Sequence, residues 1–450
     1  MKWFKRIAFV LGALIAVLAV LPFFISLNDY IPQIEQAVSA RLGEPVKISN
    51  LRAAVLPLPH VTVDGITVGK SGDVKVGKVT VTPVLSSLFD TPKVIKSMEI
   101  DGLVLTQKAI DKIPVWTKSE AKPGAPQQPQ QVTVQSIRLD DALVRLDKTS
   151  FGPFDARIRL DAKNEPEEAS ITTRDGKLKI DVRPGKSNYL IDASAKSWKL
   201  PAGPAIYFDE LTIKGVATLG DASFSQIAAR LYGGTVNGKA SVSWRKGLQL
   251  QGNLAVSGVE LKPLVPLLAP GRNMSGKLDA KPVFSTSAAG AAQLANAMRL
   301  ETPFNVSNGV LHGVDIQKAA TSLIKQGASG GETRFEELSG HLAMDRGAYR
   351  FTQIRITSGS LAANGNVSIS PQKELSGRVN AEVKAAGASA SVPLNVTGTL
   401  DSPLLYPSGG TVAGAAVGTA ILGPGLGTSV GAKVGGWAEG LFGTKEEKKK

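Results

Sequence analysis

The chain has 450 residues, of which 43% are hydrophobic and 20% charged, enough apolar material for two or three packed domains. It contains no cysteine, so a disulfide framework, a thiolate nucleophile and a cysteine-bound metal are all excluded. The formal net charge of +14 suits anionic lipid head groups if the chain is exported, or solubility alone.

The N-terminus sets the topology. Lys2, Lys5 and Arg6 precede an uncharged, almost wholly apolar run from Ile7 to Leu27. About 20 residues at ~1.5 Å each cover a hydrocarbon core of roughly 30 Å. The exit Pro22-Phe23-Phe24-Ile25-Ser26-Leu27-Asn28 is too bulky for signal-peptide cleavage. The run therefore predicts an uncleaved transmembrane anchor over 1–27, with Ile7, Val10, Leu14, Val17, Leu21 and Phe24 along it. Basic residues before it and Asp29 after it place the N-terminus in the cytoplasm and everything from Asn28 onward outside.

An amphipathic helix follows, with Ile31, Ile34, Val38 and Leu42 at helical spacing, Asn28 or Asp29 as cap, and Gly43 with Pro45 as stop. Period-2 patterning then begins: Val61/Val63, Val74/Val76, Val79/Val81, Met98/Ile100 and Leu103/Leu105. Its phase slips at Gly65, Gly77 and Gly102, where a turn or bulge is expected, and Pro83–Phe89 reads as a helical interlude. Residues 119–131, SEAKPGAPQQPQQ, lack large apolar side chains and read as a linker and a domain boundary.

From Val132 to Val396 the strand signal resumes, as in Leu178/Ile180/Val182, Leu248/Leu250 and Ile354/Ile356. The opposite phase is polar: Arg157, Arg159 and Asp161; Lys177, Lys179 and Asp181. This predicts antiparallel hairpins with one buried and one wet face. Expected turns are Asp175-Gly176, Asn237-Gly238, Asn308-Gly309, Arg346-Gly347 and Asn364-Gly365. Helical breaks are predicted at Leu261–Leu268, Ala288–Leu300 and Asp315–Lys325, the last capped by Asp315. With 47 Gly and 26 Pro against 5 Trp and 6 Tyr, short strands and many turns are favoured throughout.

The tail differs. Gly410, Gly414 and Gly418, then Gly423, Gly427, Gly431 and Gly435, recur every four residues on either side of Pro424. Small residues at that spacing let helices approach closely, so a hairpin dipping into a bilayer is predicted, with a flexible tail as the plain alternative.

Catalytic signals are thin. His60, His312 and His341 lie at no metal-ligand spacing. Gly233–Ala240 nearly spells a P-loop but lacks the magnesium-binding hydroxyl, Gly327–Gly331 matches a nucleophile elbow on letters alone, and Ser322–Lys325 has no partner motifs. The acid pairs Asp140-Asp141, Glu167-Glu168 and Glu336-Glu337 are adjacent, and neighbours on a strand point to opposite faces. Lys and Arg are dispersed without interleaved aromatics, against nucleic acid as partner. No cofactor and no enzymatic activity are expected.

The order of features carries a resemblance. The anchor and helix lead into Val46–Leu51, Leu56–Val68, Val79–Phe89 and Ile95–Leu105; later come Arg230–Thr235, Gly309–Ile316, Thr333–Gly340 and Val396–Pro403. The first set resembles the N-terminal region of the AsmA family of bacterial envelope proteins, the second its C-terminal module. The resemblance implies an N-terminal chorein-like β region over 28–118 and a C-terminal β module over 132–407. The linker 119–131 and the glycine-zipper tail 408–450 are outside it. It also implies an inner-membrane protein projecting into the periplasm, linked to outer-membrane assembly and to control of protein targeting to membranes. Family members are similar to bridge-like lipid-transfer proteins, whose curled sheet holds acyl chains. No catalytic residues come with the family.

The expected fold is therefore mainly β with a few short helices: an anchor, a long curled antiparallel sheet forming a groove, and a helical hairpin at the end. Val242, Leu250, Leu254, Ile356 and Val367 are the candidate groove lining, equally readable as ordinary core. The leading function is lipid handling, with phospholipid or lipopolysaccharide, the inner membrane and envelope assembly proteins as partners. The alternatives are a scaffold or regulator of membrane-protein targeting, and an anchored hydrolase.

Overall fold

The computed structural model describes residues 27–55, 58–87, 89–116, 132–145, 150–201, 203–289, 293–321, 330–385 and 388–408. The anchor residues before Leu27, the whole of the 119–131 segment and the tail glycines from Gly410 onward lie outside the described residues. Among the described residues, no helix is long and apolar enough to cross a membrane.

The chain divides into two compact units. Unit 1 comprises Met1–Ala205 with Ile213–Thr218, and unit 2 comprises Ile206–Thr212 with Leu219–Lys450. Unit 1 holds helix α1 (Ile31–Leu42), strands β1 (Val46–Lys47), β2 (Asn50–Ala54), β3 (His60–Val68), β4 (Val74–Pro83), β5 (Lys93–Asp101) and β6 (Val104–Thr106), then helix α2 (Gln107–Trp116). It continues with β7 (Val132–Val134), β8 (Ser136–Arg145), β9 (Ser150–Leu160), β10 (Pro166–Thr173), β11 (Leu178–Pro184) and β12 (Tyr189–Lys199). Strand β13 is Tyr207–Ala217.

Unit 2 holds β14 (Asp221–Leu231), β15 (Gly234–Ser243), β16 (Leu248–Glu260), helix α3 (Leu261–Leu268), β17 (Met274–Ala280), β18 (Val283–Ala288) and β19 (Arg299–His312). Helix α4 (Ile316–Thr321), β20 (Glu332–Asp345), β21 (Ala348–Thr357), β22 (Leu361–Ile369), β23 (Leu375–Ala385), β24 (Ala388–Thr399) and β25 (Ser402–Pro407) complete it. Sequence neighbours pair antiparallel almost throughout, as in β20–β21 and β23–β24.

Three parallel ladders interrupt that rule: β5 with β7, β5 with β8, and β6 with β8. Parallel partners need a crossover connection, and α2 with the 119–131 segment supplies it. The strands flanking that segment are thus hydrogen bonded to each other inside unit 1, and the division between units falls at 205–219.

Helix α1 spans the predicted residues, and Gly43, in a left-handed conformation (φ 67°), ends it by donating its N–H to Ser39 O at 2.9 Å. Asn28 is not its cap; the capping position is Tyr30, without a side-chain bond. Asn28 Oδ1 instead accepts the Leu51 N–H at 3.0 Å, Glu35 Oε1 accepts Ile48 N–H at 2.8 Å, and Ser39 Oγ accepts Val46 N–H at 2.9 Å. The helix thereby occupies N–H groups on the outer edge of β1 and β2, where an unpaired strand would otherwise recruit another chain.

Other expectations are corrected. Pro83 ends β4, and the interlude reduces to a 3-10 turn at Leu85–Ser87. Leu300 and Arg299 belong to β19, and no α-helix is assigned to the described part of 288–300. Asn237-Gly238 and Asn364-Gly365 lie inside β15 and β22 rather than at turns. The turn before β15 is Tyr232-Gly233, both with positive φ. Asn308-Gly309 lies inside β19, where Asn308 (φ 52°) and Glu336 drop out of the β19–β20 register. The pairing offset is unchanged across this gap, yet the inward phase reverses, from Val306 facing Leu338 to Gly309 facing Phe335. Asp175-Gly176 and Arg346-Gly347 do make hairpin turns.

Candidate functional site: an apolar sheet face

Register places aliphatic side chains in continuous rows. In unit 1, Leu51 faces Val63, Val63 faces Val79, and Val79 faces Ile100. Ile100 pairs with Leu139 across the parallel ladder, and the row continues through Ala156, Ile171, Ile180 and Ala193. A second row lies one pleat away: Ala53, Val61, Val81, Met98, Ile137, Ile158, Ala169, Val182 and Ile191. Neither row contains a polar side chain. Directly opposed residues share a face of the sheet, so from β2 to β12 one face is an unbroken aliphatic strip.

The strip is only partly covered. Leu51, Ala156 and Ala193 are buried, whereas Val63, Val79, Ile100, Leu139, Ile171 and Ile180 are half-buried. The reverse face is wet: Arg157 and Arg159 on β9 and Lys179 on β11 are exposed.

Unit 2 treats its apolar face in two ways. At one end it is packed: Val306, Phe335, Leu338, Ile356, Ala363, Val379, Ala381, Leu394 and Val396 form a buried cluster. Leu261 and Leu264 from α3, and Ile316, Ala319 and Ala320 from α4, belong to the same cluster. Helix α4 is positioned by Thr333, 4% exposed, whose hydroxyl donates to Val314 O (2.8 Å) and accepts from Ile316 N–H (3.1 Å). Asp315 Oδ1 accepts Lys318 N–H at 2.8 Å, the predicted cap. Away from these helices, β16 alternates half-buried Leu248, Leu250 and Leu254 with exposed Gln249, Gln251 and Asn253, whereas Val256 packs against the cluster.

The predicted lining therefore splits. Val242 and Leu250 are direct cross-strand partners, and Leu254 lies opposite Gly238; all three are half-buried and outside the packed cluster. Ile356, 5% exposed, is inside that cluster, and Val367 packs against it. The unit 1 rows were not nominated from the sequence, although Val61/Val63, Val79/Val81, Met98/Ile100 and Leu178/Ile180/Val182 carried the period-2 signal; only the register aligns them. A cleft of about 610 Å³ in unit 2 is lined by Ser223, Lys239, Gln251, Asn253, Phe284 and Arg299 among others, and none of the predicted lining residues borders it.

One polar cluster secures the start of the strip. Lys112 Nζ, on α2, lies 2.6 Å from Glu44 Oε1 and 3.0 Å from Asp73 Oδ2, and Ser71 Oγ donates to Asp73 Oδ1 at 2.9 Å. The Lys112 and Ser71 hydrogen bonds hold the Asp73 carboxyl below its usual range, and Glu44 and Asp73 push the Lys112 ammonium up. The histidines are scattered: His60 Nδ1 is 2.7 Å from Leu58 O, His312 Nδ1 is 3.6 Å from Glu332 Oε2, and His341 lies opposite Thr352. Among the described residues no cluster of His, Asp and Glu could hold a metal.

The chain is thus a large, mainly antiparallel β protein with few helices, and unit 1 carries a continuous aliphatic face from β2 to β12. Its residues 160–354 match the model of the AsmA family. No curated protein and no solved structure matches it.

Proposed function

We propose that this is a non-enzymatic envelope protein that shelters lipid acyl chains on the apolar face of its sheet and so contributes to outer-membrane assembly. The observation that carries the reading is the pair of aliphatic rows from β2 to β12, uninterrupted by any polar group and only half-covered by the protein itself. A folded chain gains by covering such a strip, each sheltered CH₂ being worth ~0.8 kcal/mol. An acyl chain supplies that cover without asking for a hydrogen bond. In this reading the apolar run Ile7–Leu27 holds the protein in the inner membrane with its N-terminus in the cytoplasm and the sheet in the periplasm. Phospholipid or lipopolysaccharide is the guest.

A second reading, a scaffold or regulator of protein targeting, is favoured by the packed cluster of unit 2, where α3 and α4 fill the same kind of face. Native mass spectrometry of the detergent-purified full chain separates the two. Stoichiometric phospholipid or lipopolysaccharide released on unfolding fits the first; lipid-free protein refutes it and leaves the scaffold.

A further inference from the structure

One end of unit 1 carries an exposed apolar patch. Strand β3 begins at His60, β4 ends at Pro83 and β5 begins at Lys93, with Val61 opposite Val81 and Ile95 opposite Pro83. The connections before β3 and between β4 and β5 therefore leave the sheet at the same end. They present Leu58 (52% exposed), Leu85 (53%) and Phe89 (97%).

The β4–β5 connection is built to do this. Buried Ser87 accepts the Val94 N–H (2.9 Å) through its hydroxyl, which also donates to Val84 O (2.8 Å), and Asp90 N–H donates to Ser87 O (3.1 Å). A serine is inside and a phenylalanine outside, the reverse of the usual preference.

The other turns differ. The β3–β4 and β10–β11 turns, at the far end, expose Lys70, Ser71, Arg174, Asp175 and Lys177. The β9–β10 and β11–β12 connections, at the near end but further along the sheet, expose Lys163 and Lys186. Further along the same end, Val132 (42% exposed) opens β7 and Leu190 (50%) stands at the start of β12, so the largest exposed apolar side chain there, Phe89, stands on the β4–β5 connection.

The course of α1 explains the placement. Side chains of α1 and of the 3-10 turn before it (Asn28–Tyr30) meet β1, β2 and the residues between in reverse order, Ser39 at Val46, Glu35 at Ile48 and Asn28 at Leu51. The eleven helical steps and the five strand steps both span ~16 Å, so the helix runs antiparallel to that edge. Asn28 therefore lies toward the end that carries Leu58, with Leu51 only ~10 Å short of Ala54. The apolar run Ile7–Leu27 precedes it directly in the sequence.

We infer that this end of unit 1 rests on the bilayer that holds the run, with Leu58, Leu85 and Phe89 immersed at the head-group boundary. A tether alone leaves a domain free to swing; three apolar side chains beside it fix its attitude to the surface. The inference needs the anchor but not guest lipid on the sheet, so its failure leaves the lipid-shelter reading standing.

The absence of cysteine makes the test clean. Phe89→Cys, Leu58→Cys and Lys70→Cys variants of the full chain are labelled with an environment-sensitive fluorophore and reconstituted into phosphatidylethanolamine/phosphatidylglycerol vesicles. Labels at 89 and 58 should emit to the blue and be quenched several-fold more by lipid-borne nitroxide than by aqueous iodide, with the Lys70→Cys label showing the reverse. Equal iodide access at 89 and 70, or a chain that fails to incorporate into the vesicles, overturns the inference.

Discussion

Lys112 Nζ lies 3.0 Å from Asp73 Oδ2, and the same ammonium reaches Glu44, so one side chain of α2 ties together the end of α1 and the β3–β4 turn. Asp73, its side chain 5% exposed, is held below the usual carboxylate range first by Lys112 and then by Ser71. Glu35, which fastens α1 to β1 and β2, is held down chiefly by the Ile48 N–H. A carboxylate lowered on folding contributes stability above its unfolded value, about 4, and loses that contribution as pH falls through the folded value. Amide exchange in α1 and α2, corrected for intrinsic rate, should therefore quicken between pH 5 and pH 3 while the strands of the rows change little. Unchanged protection of both helices would contradict the clasp.

Removing acceptors from α1 and the turn before it should uncover the edge of the sheet. Ser39→Ala and Asn28→Ala each leave one strand N–H without its partner, costing about 1 kcal/mol apiece. The double variant should also associate with itself in a concentration-dependent way, as exposed edges do. Sedimentation velocity checks this, and a strictly monomeric double variant would show that the helix does not guard the edge.

The packed and half-covered parts of the apolar face should respond differently to truncation. Leu394 is 1% exposed within the unit 2 cluster, and Leu394→Ala should cost about 2–5 kcal/mol. Val242 is half-buried and outside that cluster, and Val242→Ala should cost about 1 kcal/mol or less in delipidated protein. Urea unfolding measures both; equal losses would mean that Val242 is ordinary core.

A charge in the row should expel guests. Ile171 lies mid-row, whereas Ser170 points to the other face. Ile171→Asp should lower co-purified lipid about tenfold or more, since an isolated carboxylate is strongly disfavoured among acyl chains. Ile171→Met, which keeps the row apolar, should retain the lipid, and so should Ser170→Asp. Lipid content indifferent to Ile171→Asp in a folded protein would remove the row from the binding surface.

Much of the fold is legible in the residues. The limits of α1 follow from its apolar spacing and Gly43, those of α3 from Leu261 and its prolines, and the Asp315 cap from position alone. The Asn-Gly pairs at 237 and 364 mislead because a glycine there serves a strand interior. A Cβ at Gly238 would meet the backbone of Asn253 and Leu254, and one at Gly365 that of Arg378 and Val379. Helix α2 escapes notice because it is short, includes Pro114, and is secured by Lys112 reaching residues far away in sequence. The irregularity at Asn308 is visible beforehand only as an Asn-Gly pair, whose effect on phase depends on Glu336 dropping out across the ladder.

Alternation of apolar and polar residues is a local property, so the chain by itself determined that it would be β-rich with one greasy face, and the run from Ile7 to Leu27 is equally local. What lies over that face is not local. Ile356 and Val242 have the same pattern around them, yet α3 and α4 cover the sheet at the first and nothing of the packed cluster reaches the second. Only the register, which carries Leu51 across to Ala193 through strands far apart in sequence, and the docking of two short helices, decided which apolar residues are core and which stay half-buried.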